Sequence, residues 1–213
     1  MDTSLWTHRR TSAKKALGGV AAAAACVLLM NAPAAQAVEP DPVAIQEALA
    51  RVAATGVMTD ADRATIQTDP ELAQSVIDPE LTEVTDTSGG TPGSPALPGK
   101  TSCTHADRYI VYRSTLGFKT AEWHMRVNWC YNGRTVSSVT REAYIANYDK
   151  ATIRYKGEIK NSLQYRPGNV NARAVMQGHL EQCVIKYGCY ANYYPYQDFT
   201  VGNNGSYQLI QRK

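Results

Sequence analysis

Two pairs of side chains carry the types needed for acid–base chemistry. His124 follows Glu122 by two positions, and His179 precedes Glu181 by two. On a strand, residues i and i+2 project from one face, about 7 Å apart. Imidazole titrates near neutrality, and a neighbouring carboxylate can orient it or serve as the base. Were the two strands neighbours, two imidazoles and two carboxylates would converge. Such a set suits hydrolysis of an anionic substrate, a phosphodiester for example. His105 is the only other histidine beyond the first 37 residues.

A second candidate is a binding surface. The stretch Tyr190 to Tyr196 (YANYYPY) holds Tyr190, Tyr193, Tyr194 and Tyr196 around one proline. Amphipathic rings on a loop or edge strand can stack on sugars, bases or a protein partner. Arg154, Lys156 and Lys160, with Arg166 and Arg173, could supply contacts to phosphate or carboxylate.

Other chemistries find little support. No G-x-S-x-G, H-E-x-x-H or phosphate-loop pattern occurs. Neither C-x-x-C nor H-x-x-x-H spacing is present, so neither a zinc site nor a cofactor is expected.

Strands are the elements that must position these residues. From Ala121 to Tyr131 the chain alternates, with Trp123, Met125, Val127, Trp129 and Tyr131 on one face. Glu122, His124, Arg126, Asn128 and Cys130 take the other. This period predicts a half-buried antiparallel strand. Asn132-Gly133 then predicts a two-residue hairpin into a partner strand over 134–147. A second alternation over 152–163 places Ile153, Tyr155, Ile159 and Leu163 on one face. Further strands are read at 108–116, 173–187, 190–201 and 207–210, although 172–182 also contains good helix formers. The expected fold is mainly β, an antiparallel sandwich or small barrel.

The rest of the chain reads as delivery and support. Residues 1–37 follow signal-peptide grammar. Arg9, Arg10, Lys14 and Lys15 precede an apolar run from Ala16 to Met30, and Ala35-Gln36-Ala37 is an A-x-A cleavage pattern. The run is shorter than the ~20 residues that span a bilayer. The residues after Arg9-Arg10 lack the apolar position usual in a twin-arginine signal, favouring general secretion. The protein is therefore expected outside the cell, with no membrane span left after cleavage. Four cysteines remain, Cys103, Cys130, Cys183 and Cys189, once Cys26 leaves with the leader. An oxidising compartment favours disulfides. Of the three possible pairings, Cys183–Cys189 is favoured because VIKYG can turn between them; Cys103–Cys130 then remains.

Residues 38–84 contain no aromatic residue. Asp-Pro pairs at 41–42, 69–70 and 78–79 suggest helix starts, giving short helices near 42–54, 60–67, 70–77 and 79–84. Their apolar stripe, Ile45, Leu49 and Val52, needs a partner surface. Residues 85–100 read as a Gly/Pro/Ser linker, and 101–213 as the folded domain. Residues 38–100 hold eleven acidic and three basic residues, a net of −8; residues 101–213 hold seven and fifteen, a net of +8. The acidic segment could thus act as an intramolecular cover, removed later as a pro-segment would be.

The motifs Trp123-His124-x4-Trp129-Cys130-Tyr131-Asn132-Gly133, Gly178-His179-x3-Cys183 and Gly188-Cys189 resemble a group of small secreted actinobacterial proteins. The resemblance spans roughly residues 103–207. It implies secretion, strands and disulfides, and carries over no catalytic residue. The expected function is a secreted binding or effector module for an anionic partner: envelope polymer, nucleic acid or acidic protein. A hydrolase built on the histidine pairs is the alternative. A protease inhibitor presenting the 183–189 loop is the third reading.

Overall fold

In the computed structural model the described residues are 39–87 and 99–213. The leader, Cys26 and most of the linker lie outside them. Among the described residues three helices come first, α1 (Pro42–Thr55), α2 (Asp60–Gln67) and α3 (Pro70–Ser75). Their caps are written in the sequence. Asp41 accepts from the N–H groups of Val43 and Ala44, and Asp69 from those of Glu71 and Leu72. Thr59 and Asp62 form a reciprocal capping box. Gly56 ends α1 in the left-handed region at φ 68°, where a Cβ would be unfavourable.

Nine strands follow among the described residues, in two antiparallel sheets. The first contains β1 (Ile77–Thr87), β2 (Ser102–Ser114), β3 (Lys119–Tyr131) and β4 (Val136–Ala146), in that order. The second contains β5 (Ile153–Gln164), β6 (Asn171–Val184), β8 (Tyr196–Gly202) and β9 (Tyr207–Arg212), with β7 (Gly188–Tyr193) paired to β6. The core lies between the sheets and contains the inward face expected of β3: Trp123, Met125, Val127, Trp129 and Tyr131. Ala174, Met176, Leu180 and Phe199 meet it from the second sheet. Contact is tight at Gly178, where an added Cβ would lie 2.5 Å from Trp123 Nε1. Both disulfides are formed, Cys103–Cys130 between paired positions of β2 and β3, and Cys183–Cys189 across the β6–β7 turn.

The helices build a second, smaller core. Ile45, Leu49, Val52, Met58, Ile66, Leu72 and Val76 pack with Val184, and with the half-buried rings of Tyr187 and Tyr190. Each fully buried aliphatic side chain here contributes about 1.5–3 kcal/mol. The partner surface that the α1 stripe required is therefore the β6–β7 hairpin.

Several expected elements differ in detail. Residues 79–84 are not a fourth helix; they belong to β1. Pro79 falls in an irregular stretch where the β1–β2 register shifts between Asp78 and Glu83, as suits a residue without an N–H. Glu83 and Val84 then pair with Val111 and Ile110. Residues 85–87 continue this strand and are not linker. The 132–135 turn has four residues: the Asn132 carboxamide oxygen accepts from the Arg134 and Thr135 N–H groups, at 3.0 and 2.8 Å. Residues 190–201 form two strands, broken at Tyr194-Pro195, and the strand expected over 173–187 stops at Val184. In β5, Ile153, Tyr155 and Leu163 reach the core as expected, but beside the register shifts at Tyr155/Gly157 and Glu158/Lys160 Ile159 is 56% exposed, not inward.

Candidate functional site

The outer face of the second sheet collects the expected basic residues. Inward positions on β6 alternate through Ala172, Ala174, Met176, Gly178 and Leu180, so Arg173, His179 and Glu181 point outward. Register brings Arg154 beside Glu181, Lys160 beside Gln177, and Tyr196 beside both Gln177 and Arg212. Arg154 and Lys156 share the Glu181 carboxylate at 3.8 and 3.5 Å. Arg173 forks onto Asp198, whose carboxyl these bonds hold below its ordinary range despite burial. Lys160 Nζ and the Arg212 guanidinium each lie 5.6 Å from the centre of the Tyr196 ring. Two carboxylates thus face five cations, and the side chains of Arg154, Lys156 and Arg173 remain 47–60% exposed.

The tyrosine cluster divides. Tyr190 and Tyr193 turn inward, and their hydroxyls donate to Gln182 Oε1 at 2.6 and 3.4 Å. Burial pushes both phenols up. Tyr194 is 43% exposed and stacks on His179, with ring centres 4.9 Å apart. Tyr196 is the other outward ring. His179 Nε2 also meets the Asn192 carboxamide oxygen at 2.7 Å.

His124 and His179 do not come together. His124 lies on the outer face of the first sheet and His179 on the outer face of the second. Each has built its own surroundings. His124 is sandwiched by Tyr109 and Tyr144, each 4.7 Å away between ring centres. Its Nδ1 lies 3.2 Å from Asp107 and its Nε2 3.5 Å from Glu122. Asp107 also accepts from Arg126 and the Tyr144 hydroxyl. Glu122 is bound by Lys119 and Asn147. Burial works to raise the Glu122 carboxyl, but its bonds to Lys119, Asn147 and His124 win and lower it. This is a closed network, with every charged member engaged from within. The second expected pair is not in hydrogen-bond contact: His179 turns to Asn192, and Glu181 to Arg154 and Lys156.

Among the described residues, Glu181, Cys183 and Cys189 place three donor atoms within 4.8 Å of one another. The two sulfurs are joined as a disulfide, so they offer no thiolate to a metal. No described helix is long and apolar enough to cross a membrane.

Sequence reasoning missed Arg212, Asp107, Tyr109, Tyr144 and Asn192. Arg212 had a signal, the alternation Gln208, Ile210, Arg212 along the last strand. The others depend on strand register. No family model, curated protein or solved structure matches the chain.

Proposed function

We propose that this protein is a secreted, non-enzymatic module that binds an anionic polymer through the outer face of its second sheet. One observation carries the reading: Lys160 and Arg212 both flank the Tyr196 ring on a face where Arg154, Lys156 and Arg173 are also displayed. Tyrosine edged by cations offers stacking and charge together, at about 0.5–1 kcal/mol per exposed cation–π pair. The leader-like residues 1–37 and the two disulfides support release into an oxidising compartment.

The test is binding of inorganic polyphosphate and of an acidic polysaccharide at rising salt. Wild type binds at least one of them, more weakly as salt rises. Lys160→Glu combined with Arg212→Glu weakens binding at least about tenfold, the scale of losing two charge contacts. Binding indifferent to both salt and this double variant would remove the reading. Intact mass of the secreted protein should match a start at Val38.

A second reading rests on Ile185, which is 92% exposed at the tip of the disulfide-closed 183–189 loop, beside Lys186. A rigid loop of this kind fits a protease cleft. Inhibition of a lysine-specific serine protease, lost in Lys186→Ala, is the outcome that supports it.

A further inference from the structure

A cleft of about 440 Å³ opens between the end of α1, the start of β1 and β7. Its walls include Val52, Val57, Pro79, Tyr193 and Tyr194. Tyr112 lines it as well, and is completely buried. The Tyr112 hydroxyl has no hydrogen-bond partner. A buried hydroxyl left unpaired costs about 1–3 kcal/mol, so such a group usually marks the place of a missing partner. Burial, and then neighbouring Tyr193, pushes its phenol well up, so it remains a donor throughout the ordinary pH range.

The polar rim is chemically mixed. Glu80 offers only acceptors, Lys213 only donors, and Asn192 both. Each already has one partner, Glu80 in Arg63, Lys213 in the Pro79 carbonyl and Asn192 in His179, and each keeps capacity for a second: Lys213 can meet a sugar carboxylate while Glu80 accepts from a hydroxyl. A sugar ring fits: its C–H faces lie on tyrosine, and its hydroxyls both donate and accept. Position supplies the link to the basic face. Asn192 and Tyr194 line the cleft, and the same two residues hold His179 on the outer face of the second sheet.

We propose that this cleft seats one sugar unit of an acidic polysaccharide whose following units run across the basic face. This deepens, and rests on, the polymer-binding reading above.

The experiment is amide chemical-shift mapping on the full disulfide-bonded protein. The probes are a short oligogalacturonate, a neutral gluco-oligosaccharide and a single-stranded oligonucleotide. With oligogalacturonate, amides near Glu80, Asn192 and Tyr194 shift together with those near Lys160 and Arg212. Tyr112→Phe removes a hydroxyl that bonds nothing in the structure, so thermal stability holds or rises. Its affinity for oligogalacturonate falls about three- to tenfold, the usual worth of one hydrogen bond. Val57→Trp, at a half-exposed position on the cleft wall, abolishes the cleft shifts and leaves those of the basic face. Three outcomes go against the proposal or its premise. If only basic-face amides move and Tyr112→Phe binds like wild type, the cleft inference fails while polymer binding stands. If the oligonucleotide alone binds, the polymer is nucleic acid and the sugar assignment is overturned. If cleft amides move equally with the neutral sugar while Lys160→Glu and Arg212→Glu change nothing, the cleft survives and the basic-face reading fails.

Discussion

The side-chain amide of Gln182 takes the place of a backbone partner for Ile77: its Oε1 accepts the Ile77 N–H at 3.0 Å. Its Nε2 donates to the Ser75 carbonyl, and Tyr190 donates to the same Oε1. Gln182 is fully buried. One side chain thus ties the helical segment, the entry to β1 and the β6–β7 hairpin together.

Gln182→Leu should therefore be among the costliest single changes. It leaves the Ile77 N–H, the Ser75 carbonyl and the Tyr190 hydroxyl without that partner. The expected loss is about 2–4 kcal/mol, read as a lower urea midpoint. A midpoint equal to wild type would show that water or rearrangement satisfies these groups.

Removing residues before Lys100 should not yield a soluble domain. It would strip the second core from Val184, Tyr187 and Tyr190, and uncover the β2 edge that β1 now occupies. Bare edge strands pair with other chains. Light scattering of a chain starting at Lys100 should show aggregation. A monomeric, folded product would instead revive the idea of the acidic segment as a removable cover.

Replacing Cys103 and Cys130 together by serine should cost about 3 kcal/mol, the expected effect of opening a loop with a sequence separation of 27. The β2–β3 pairing should persist at low temperature, because its register is also held by the buried alternation of β3. Denaturant melts of oxidised and variant protein measure the difference.

Stability should decline in acid. Asp198 is lowered by its hydrogen bonds from Arg173, against burial. Asp62 is lowered first by Thr59, again against burial. Burial opposes ionisation of Glu122, yet its hydrogen bonds to Lys119, Asn147 and His124 together lower it. Depressed carboxylates stabilise above their unfolded values and lose that contribution as pH falls through the folded ones. The decline should begin near the ordinary values of 4.5 for Glu122 and 3.8 for the aspartates and continue below them. Urea midpoints measured from about pH 6 to about pH 3 give the profile; a flat one would contradict these assignments.

A repeated tetrapeptide marks the point where local sequence stops being informative. Asp69-Pro-Glu-Leu opens α3, whereas Asp78-Pro-Glu-Leu enters the irregular start of β1. Both aspartates accept an N–H two residues on, from Glu71 and Glu80 respectively. The surroundings of the residues downstream separate them. Leu72 and Ala73 are buried beside α1 and α2, while Glu83 and Val84 find a free edge on β2. The β3 alternation was readable because one of its faces is wholly buried and the pattern runs uninterrupted. The β5 alternation held for Ile153, Tyr155 and Leu163, which reach the core, and failed at Ile159, where register shifts intervene without an unmistakable local signal. The basic face was partly legible, since Arg154, Lys156 and Lys160 share a strand. The His124 surroundings were not, because Asp107 reaches that ring only through the pairing of β2 with β3. The tyrosines could be counted, but their directions are decided by the break at Pro195 and the buried Gln182 amide.

The close approach of Trp123 to Gly178 implies a rule about inheritance. An indole can lie against β6 there only because the facing residue has no side chain. The two positions should drift through evolution as a linked pair. A descendant that gains even alanine at 178 should already carry, or promptly acquire, a ring smaller than indole at 123. Related chains that pair a large residue at 178 with an unchanged tryptophan would break that linkage.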